Sequence, residues 1–473
     1  MLTGGKLLAS LVLVLVLLPS ASAGYWAKFY GGSGWEYFHS VTELSNGDII
    51  IAGKTNSFGA GKYDILILRL DAEGNIKWQK TYGGRNDDEV FSIAEAANGD
   101  IIVAAGTESF GAGDYDFWIL RLDADGNIKW QKTYGGAKRD EAMSLVEAAN
   151  GDIIVVGAAY SFGSGLEDEA WILRLDADGN IKWQKTYGGA KRDAFCAVRE
   201  ASNGDIIVAG VTWSFGAGKG DFWVLRLDAE GKIKWQKTYG GAEFEVAWSL
   251  VEATNGDIIV AGVTYSFGEG QKFWVLRLDA EGKIKWQKTY GGAENDWLWE
   301  MVEASNGDII VAGVTESFGA GDYDAWILRL DAEGKIKWQK TYGGAKRDGA
   351  LAMVEASNGD IIVAGVTESF GAGDKNAWIL KLPSDGSLEY FSQDSHAILN
   401  DTNAQSNNSN ASILAPSVQV NNSQALVEDL NLPLVLITPT EKMPRRGKGV
   451  PGFEAVFTLT IMLSAAYLLR KTY

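Results

Sequence analysis

Apolar and polar residues alternate along this chain in short stretches that end at turn residues. Trp118 and Leu120 point to one side of a predicted strand, while Ile119 and Arg121 point to the other, which is the period of two typical of a strand. Asn-Gly and Asp-x-Gly turns bound these stretches and favour tight hairpins. In the second unit of the chain, the pattern predicts strands over 89–97, 101–107, 116–123 and 127–134.

The same four-strand pattern recurs at intervals of 51 to 53 residues. The Trp near the start of each predicted fourth strand marks the repeat, at Trp26, Trp78, Trp130, Trp183, Trp235, Trp286 and Trp338. Repeated units of four antiparallel strands are typical of β-propeller blades. The sequence therefore predicts an all-β fold over residues 24–390, a seven-bladed β-propeller of four-stranded antiparallel blades.

The two ends of the repeat region predict how the ring closes. The stretch Trp26–Tyr30 reads as a fourth strand with no first three strands before it, and the seventh unit stops at Pro383 after its third strand. We expect 26–30 to supply the fourth strand of blade seven, which also removes an exposed edge. A degenerate rival for that place is Ser387–Tyr390.

An arginine recurs in each predicted third strand, with Lys381 in the seventh unit. Both faces of a blade pack against neighbours, so this cation needs a carboxylate partner. The repeated glutamates are the expected partners: Glu43, Glu95, Glu147, Glu200, Glu252, Glu303 and Glu355.

The N-terminus has the form of a secretory signal peptide. Lys6 precedes an apolar run over 7–18, and small residues 21–23 follow it. We expect residues 1–23 to be removed after Ala23; an uncleaved anchor is the alternative. Both place the repeats outside the cytoplasm.

The composition changes after the repeats. Residues 391–449 are rich in Asn and Ser, and we expect a disordered stalk there. It contains four glycosylation sequons, at Asn400, Asn407, Asn410 and Asn421, which suit an exported glycoprotein. Chance occurrence in an Asn/Ser-rich linker is the alternative for any single sequon.

Residues 450–473 combine three features. Pro451, Gly452 and Phe453 precede an apolar run over 455–469, and Arg470 and Lys471 follow it. This arrangement resembles the PGF-CTERM sorting signal of archaea. The resemblance implies that an archaeosortase-like enzyme processes the chain near the tripeptide and that the protein becomes attached to membrane lipid. An ordinary transmembrane helix would also give a membrane-anchored, extracellular cell-surface protein.

The wording of the repeat also resembles a known family. The phrases Trp-x-x-x-Tyr-Gly-Gly, Asn-Gly-Asp-Ile-Ile-Val-Ala-Gly and Trp-Ile-Leu-Arg-Leu-Asp, over about 26–383, resemble the SBBP-type β-propeller repeats of secreted proteins. The resemblance implies the fold rather than an activity. Asp228–Trp235 is also similar to the tryptophan-docking strands of quinoprotein dehydrogenases, but no other part of a quinone site is present in the sequence, and no cofactor is expected.

Charge and cysteine content exclude two classes of protein. The formal net charge of −18 argues against nucleic acid as a partner and favours cations or cationic partners. The single cysteine, Cys196, excludes a disulfide framework within one chain and fits a small buried apolar position.

Every unit carries an acid at the predicted start of its first strand. A ring of carboxylates suits Ca²⁺, whereas capping of the local loop is the alternative reading, which strict repetition favours. The acids are Glu36, Asp88, Asp140, Asp193, Glu245, Asp296 and Asp348.

Positions where the units differ are the best candidates for ligand binding. Three adjacent units carry an aromatic residue just before the Ser-Phe-Gly loop, namely Tyr160, Trp213 and Tyr265, and Phe244 and Trp297 lie on neighbouring segments of the same predicted face. Such rings stack on sugars or hold a protein partner. Trp248 and Trp299 occupy a position that is apolar in other units, and we expect them in the core.

Catalysis has little support in the sequence. The chain has two histidines, His39 and His396, and no pair of residues suited to be nucleophile and base. We therefore expect a non-enzymatic binding scaffold for glycans or proteins. The alternatives are an extracellular carbohydrate-active enzyme, a lyase or glycosidase that uses the acid ring, and a purely structural envelope protein.

Overall fold

The computed structural model describes residues 24–162, 167–371 and 374–388, together with the backbone of seven short segments between residues 392 and 436. These residues form strands and the turns and loops that join them. The expected signal peptide and the sorting signal, with Ala23 and residues 450–473, lie outside the described residues.

The strands of the ring are, in chain order, β1 (Trp26–Tyr30), β2 (Glu36–Glu43), β3 (Ile49–Thr55), β4 (Asp64–Leu70), β5 (Ile76–Gly83), β6 (Asp88–Glu95), β7 (Ile101–Thr107), β8 (Asp116–Leu122), β9 (Ile128–Gly135), β10 (Asp140–Glu147), β11 (Ile153–Ala159), β12 (Glu169–Leu175), β13 (Ile181–Gly188), β14 (Asp193–Glu200), β15 (Ile206–Thr212), β16 (Asp221–Leu227), β17 (Ile233–Gly240), β18 (Glu245–Glu252), β19 (Ile258–Thr264), β20 (Lys272–Leu278), β21 (Ile284–Gly291), β22 (Asp296–Glu303), β23 (Ile309–Thr315), β24 (Asp324–Leu330), β25 (Ile336–Tyr342), β26 (Asp348–Glu355), β27 (Ile361–Thr367) and β28 (Asn376–Leu382). The short strands that follow are β29 (Ser392–Asp394), β30 (Ile398–Asp401), β31 (Gln405–Asn408), β32 (Ser412–Leu414), β33 (Gln419–Asn422), β34 (Leu426–Asp429) and β35 (Leu434–Leu436).

The ring strands form seven antiparallel blades, which confirms the predicted propeller. Blade one is β2-β3-β4-β5, and each later group of four strands makes the next blade up to blade six. Blade seven consists of β26, β27, β28 and β1, in which Phe29 lies opposite Trp378. The stretch Trp26–Tyr30 thus occupies the place that its fourth-strand sequence indicates.

First strands of neighbouring blades contact one another around the ring, so they surround its axis. Each first strand has a bulge that adds one residue. The extra residues are His39, Phe91, Met143, Cys196, Trp248, Trp299 and Leu351. Cys196 is buried, as expected, whereas Trp248 and Trp299 are half-buried and meet with ring centroids 5.2 Å apart.

The seven short segments β29–β35 pair antiparallel with the outer strand of one blade each. They proceed around the ring from blade six, through blades five to one, to blade seven. Outer strands have unpaired backbone groups that extended chain can satisfy. In these segments the structure differs from the disordered stalk that the composition of 391–449 predicts.

The apolar core lies between blades. Most hydrophobic clusters of the described residues join two neighbouring blades; one contains Ile65 and Ile67 of blade one with Trp118 and Leu120 of blade two. Another extends from blade three to blade six. Strands such as β7 and β8 are buried on both faces, which explains why their apolar residues stand at consecutive positions. Stability therefore depends on contacts between adjacent units.

The Trp of each fourth strand docks on the next blade. The Nε1–H of Trp78 donates to the carbonyl oxygen of Ala124 at 3.0 Å, and the hydroxyl of Tyr82 donates to that of Gly126 at 2.6 Å. Gly126 has a φ of 75° and leaves no room for a side chain, because an added Cβ would lie 2.9 Å from Trp78. The resemblance to tryptophan-docking strands thus describes how successive blades are joined.

The expected pairing of the repeated arginines with glutamates is wrong in its main partner. The Nε of Arg121 bonds to Asp100 of the Asn-Gly-Asp turn at 2.8 Å, and Lys129 reaches the same carboxylate at 2.8 Å. Glu147 is 3.8 Å from Arg121, and its carboxylate accepts the N–H of Ala97 of the preceding blade at 2.6 Å. The Asp is closer because the second and third strands are paired neighbours, whereas the Glu holds the hairpin of the adjacent blade.

Candidate functional site

The loops that join second to third strands, and fourth to first strands of the next blade, lie on one side of the ring. Parallel bridges connect the two kinds of loop across blade junctions, for example Tyr115 with Arg139 and Gly220 with Phe244. We call this side the loop face. It carries the aromatic residues at which the units differ.

Four of the five predicted ligand-binding residues belong to one connected arrangement on the loop face. The aromatic row consists of Tyr160, Trp213, Phe244 and Tyr265. Ring centroids of Trp213 and Phe244 are 5.4 Å apart, and those of Phe244 and Tyr265 are 6.2 Å apart. Gly220 pairs with Phe244 through a backbone bridge, and the Phe244 ring lies directly against Gly220. A Cβ added at Gly220 would lie 2.7 Å from that ring, so a side chain there would displace it.

A buried ion pair connects Tyr160 to the rest of the row. Tyr160 donates a hydrogen bond to the carboxylate of Asp168. Arg192 bonds to the same carboxylate through Nε and Nη2 at 3.2 and 3.1 Å, and its guanidinium lies 5.6 Å from the centre of the Trp213 ring. Arg192 thus fixes the position of Trp213 through a cation–π contact.

The row presents apolar surface to solvent above this polar base. Tyr265 is 38% exposed and Trp213, Phe244 and Tyr160 are half-buried, whereas Arg192 and Asp168 are buried. Burial raises the pKa of Asp168 to about 6, against the opposing effects of Arg192 and Tyr160. Tyr160 and Trp213 are therefore held in place by two buried groups, Asp168 and Arg192, that water does not reach.

Trp297, the fifth predicted residue, makes a different contact. Its ring lies 5.5 Å from that of Tyr323 in blade six. It packs, half-buried, against the same apolar cluster as Trp213 and Phe244. The structure thus places Trp297 beside the row rather than within it.

The acids that begin the first strands are all buried, with at most 2% of the residue exposed. Asp88 shows the arrangement: it accepts the N–H of Gly84 at 2.8 Å and the hydroxyl of Ser109 at 2.7 Å, and Thr107 also donates to it. Each acid therefore holds its own loops, as the capping alternative proposes, and the ring does not line an open channel with carboxylates. Among the described residues no group of three or more His, Cys, Asp or Glu is suited to hold a metal ion.

Burial raises the pKa of several of these acids, although hydrogen bonds oppose it. The pKa of Asp140 is about 6 and that of Asp193 about 7. The N–H and hydroxyl donors thus do not fully replace the water that these carboxylates lose.

Sequence reasoning missed a charged cluster at the junctions of blade one with blades seven and two. Lys54 bonds to Glu89 of the next blade at 2.5 Å and lies 5.6 Å from the centre of the Tyr37 ring and 5.4 Å from that of Tyr63. Lys375 is also 5.6 Å from Tyr37. We call these five residues the charged cluster. The sequence does contain a signal for this cluster, namely a difference between units at one repeat position: Lys54 stands where the other second strands have Gly, Ala or Val.

Three of the expected sequon residues fall on the short outer strands. Asn400 lies opposite Thr289, Asn407 opposite Thr238, and Asn421 opposite Thr133. Asn410 lies outside the described residues. Glycosylation of the four remains a prediction.

Two family matches agree with these features. Residues 450–471 match the PGF-CTERM motif, and residues 44–76 match a family described as a domain of unknown function (DUF5122) β-propeller. The predicted resemblance to a β-propeller repeat protein with a PGF-CTERM signal is thereby confirmed. The motif is a C-terminal surface-anchoring signal and implies archaeosortase processing and attachment to a membrane. No helix among the described residues is long and apolar enough to cross a bilayer.

Similar proteins have varied roles. Regulatory protein FlaEY of Caulobacter vibrioides is 24% identical over 355 residues, which cover 69% of this chain and 35% of the relative, so the chain spans about a third of that protein. A catalytically inactive virginiamycin B lyase from Staphylococcus aureus, solved with quinupristin, is 14% identical, with a TM-score of 0.45 over 76% of this chain and 99% of the lyase. A puromycin hydrolase is 14% identical, with a TM-score of 0.43 over 72% of this chain and 51% of the hydrolase.

Proposed function

We propose that this protein is a non-enzymatic binding scaffold at the cell surface, and that its aromatic row binds extracellular glycans. The observation that carries the proposal is the continuous connection from Tyr160 through Asp168 and Arg192 to Trp213, Phe244 and Tyr265. The surface-anchoring signal supports an extracellular ligand.

The row offers what a sugar needs. The C–H faces of a pyranose ring pack on aromatic faces. The hydroxyl oxygen of Tyr160, whose hydrogen is donated to Asp168, can accept a hydrogen bond from a sugar hydroxyl. Arg192 and Asp168 keep Trp213 in place before the ligand arrives, which lowers the entropic cost of binding. Rings at successive positions across blades three to five suit an extended oligosaccharide better than a compact small molecule.

The acid ring gives no support to the enzyme alternative. A lyase or glycosidase needs a carboxylate or base that reaches the substrate. The seven acids are buried and hold their own loops, with at most 2% exposed. This arrangement supports binding without turnover.

The test compares glycan binding by the wild-type ectodomain and by Trp213→Ala/Tyr265→Ala. We expect a glycan array to identify oligosaccharides that the wild type binds, and titration calorimetry to show at least a tenfold loss of affinity in the double variant. The control is Tyr25→Ala, because Tyr25 is equally exposed at 38% but contacts Asp360 of the Asn-Gly-Asp turn in blade seven, which is not part of the aromatic row.

Three results would contradict the proposal. Equal binding by both variants would exclude the aromatic row. Capture of a protein partner without any glycan would favour the protein-binding alternative. Polysaccharide cleavage that is lost when one acid of the ring is replaced would favour the enzyme.

A further inference from the structure

A second set of polar residues is buried at the blade junctions, each facing an acid of the ring. These residues begin the third strands, and the acid that each faces begins the first strand of the next blade. The pairs are Asp64 with Asp88, Asp116 with Asp140, Glu169 with Asp193, Asp221 with Glu245, Lys272 with Asp296, Asp324 with Asp348, and Asn376 with Glu36. Five junctions therefore bury two acids together, which is costly unless a positive charge or a proton lies between them.

The junction between blades two and three shows this most clearly. Asp116 is 1% and Asp140 0% exposed. A Cβ added at Gly135 would lie 1.6 Å from Oδ1 of Asp116 and 3.0 Å from Oδ2 of Asp140, so both oxygens face the same small space. Oδ2 of Asp116 accepts the N–H groups of Ala112 and Gly113 at 2.7 and 3.1 Å, whereas its Oδ1 has no hydrogen-bond partner among the residues that the structure describes.

Blade five shows what this space can hold. There a lysine, Lys272, replaces the third-strand acid, and its ammonium lies 3.7 Å from Oδ2 of Asp296. The same Nζ donates to the carbonyl oxygens of Glu294 at 2.6 Å and Gln271 at 3.1 Å, and Lys272 is 5% exposed. The fold thus already places one positive charge against the acid of a junction.

We propose that the junction between blades two and three binds a Ca²⁺ ion between Asp116 and Asp140, in the place that the ammonium of Lys272 takes in blade five. Oδ1 of Asp116 and Oδ2 of Asp140 are two of its ligands. A third is the carbonyl oxygen of Lys138, which precedes Asp140 by two residues as Glu294 precedes Asp296.

The ligand chemistry selects the ion. Carboxylate and carbonyl oxygens are the ligands of hard cations, and two oxygens that share one Ca²⁺ lie at most about 5 Å apart, which the distances at Gly135 allow. The other four acid pairs also consist of two carboxylic acids, although two of them include a glutamate, whereas the pairs Lys272–Asp296 and Asn376–Glu36 carry a smaller negative charge and are not candidates. The proposal is independent of glycan binding by the aromatic row.

The experiment measures Ca²⁺ bound by chelator-treated, desalted protein at pH 7.5. Equilibrium dialysis is expected to show at least one ion per chain, and saturating Ca²⁺ is expected to raise the Tm by on the order of 5 °C. Asp116→Asn and Asp140→Asn should each bind at least one ion fewer. Asp114→Asn is the matched control, because Asp114 is an exposed acid of the same loop.

Two results would overturn the proposal. One is a wild-type protein that binds no Ca²⁺ at millimolar concentration and whose Tm at pH 7.5 does not change; a shared proton would then account for the acid pair. The other is equal stoichiometry in Asp116→Asn, Asp140→Asn and Asp114→Asn, which would assign the bound ions elsewhere. The wild-type titration decides the first point even if a variant does not fold.

Discussion

Trp26 packs its indole directly on Gly74, and this contact joins the two ends of the ring. A Cβ added at Gly74 would lie 2.5 Å from Cζ2 of Trp26. The other docking tryptophans donate Nε1–H to a carbonyl oxygen, but the buried Nε1 of Trp26 has no hydrogen-bond partner in the described part of the chain. The closing junction therefore depends on this packing and on other hydrogen bonds: the hydroxyl of Tyr30 donates to the carbonyl oxygen of Gly74 at 3.3 Å, and Nζ of Lys28 donates to that of Glu73 at 2.7 Å.

Gly74→Ala should destabilise the ring by separating blades seven and one. The new methyl group would collide with Trp26, and an L residue at the φ of 76° costs about 1–2 kcal/mol by itself. We expect a total loss of about 2–4 kcal/mol in the free energy of unfolding, measured by urea denaturation. Gly47→Ala is the control, because Gly47 has a φ of 83° and nothing within 4 Å of an added Cβ. Equal losses in both variants would show that Trp26 does not press on Gly74.

Asp100→Asn should be among the most damaging single changes in the Asn-Gly-Asp turns. It removes the nearest negative charge from Arg121, which is 6% exposed and keeps only Glu147 at 3.8 Å, and breaking such a buried pair costs about 3–5 kcal/mol. Lys129→Ala removes the other cation at the same carboxylate, but its side chain is 47% exposed and we expect a loss below about 1 kcal/mol. Urea denaturation of the two variants compares them directly, and similar losses would contradict the dominant role of Arg121.

The ion pairs of Asp100 with Arg121 and Lys129 also show what the sequence could not predict. The repeat, the turns and the fourth-strand aromatics predict the blades and the closing strand, because each signal is local or periodic. The partner of Arg121 could not be predicted in this way, because Asp100 and Glu147 both recur as regularly as the arginine. The strand register that pairs Ile102 with Arg121 brings Asp100 close to the arginine. The repeat spacing does not determine that register.

The candidate site was predictable to a similar extent. Tyr160, Trp213 and Tyr265 stand at one repeat position, so their common face could be inferred from the sequence. Arg192 and Asp168, which connect them, belong to different blades and meet only across a junction. Lys54 and Glu89 were missed for the same reason, since each looks like an isolated substitution until neighbouring blades are placed side by side.

Glu89→Gln should destabilise the charged cluster by leaving Lys54 buried without a full negative charge. The Lys54 side chain is 3% exposed, and we expect a loss of about 3–5 kcal/mol. The double variant Lys54→Val/Glu89→Val should recover most of that loss, because Val211 and Val246 occupy the same two positions at the junction of blades four and five. Urea denaturation checks both, and a double variant as unstable as Glu89→Gln would show that the cluster needs its charges for packing.

Stability should depend on pH with a maximum at about pH 4–6 when a chelator is present. Burial raises the pKa of Asp193 and Asp324 to about 7, above the unfolded value of about 3.9. A raised pKa means that the folded state holds the proton more tightly, so this contribution is complete below pH 4 and is lost as the pH rises through 7. The expected decline is at most about 1.4 kcal/mol per pH unit for each such carboxyl.

The acid side of the maximum has the opposite sign. Burial raises the pKa of Asp100, but hydrogen bonds from Lys129 and Arg121 outweigh it and bring the pKa below its usual value. That contribution is present above pH 4 and is lost as the pH falls further. Urea denaturation at pH 3, 5 and 8 measures both sides, and Asp193→Asn should reduce the decline between pH 5 and 8 while leaving the decline below pH 4 unchanged. A wild-type protein that is more stable at pH 8 than at pH 5 would contradict the raised pKa values, because its buried acids would then be ionised without cost.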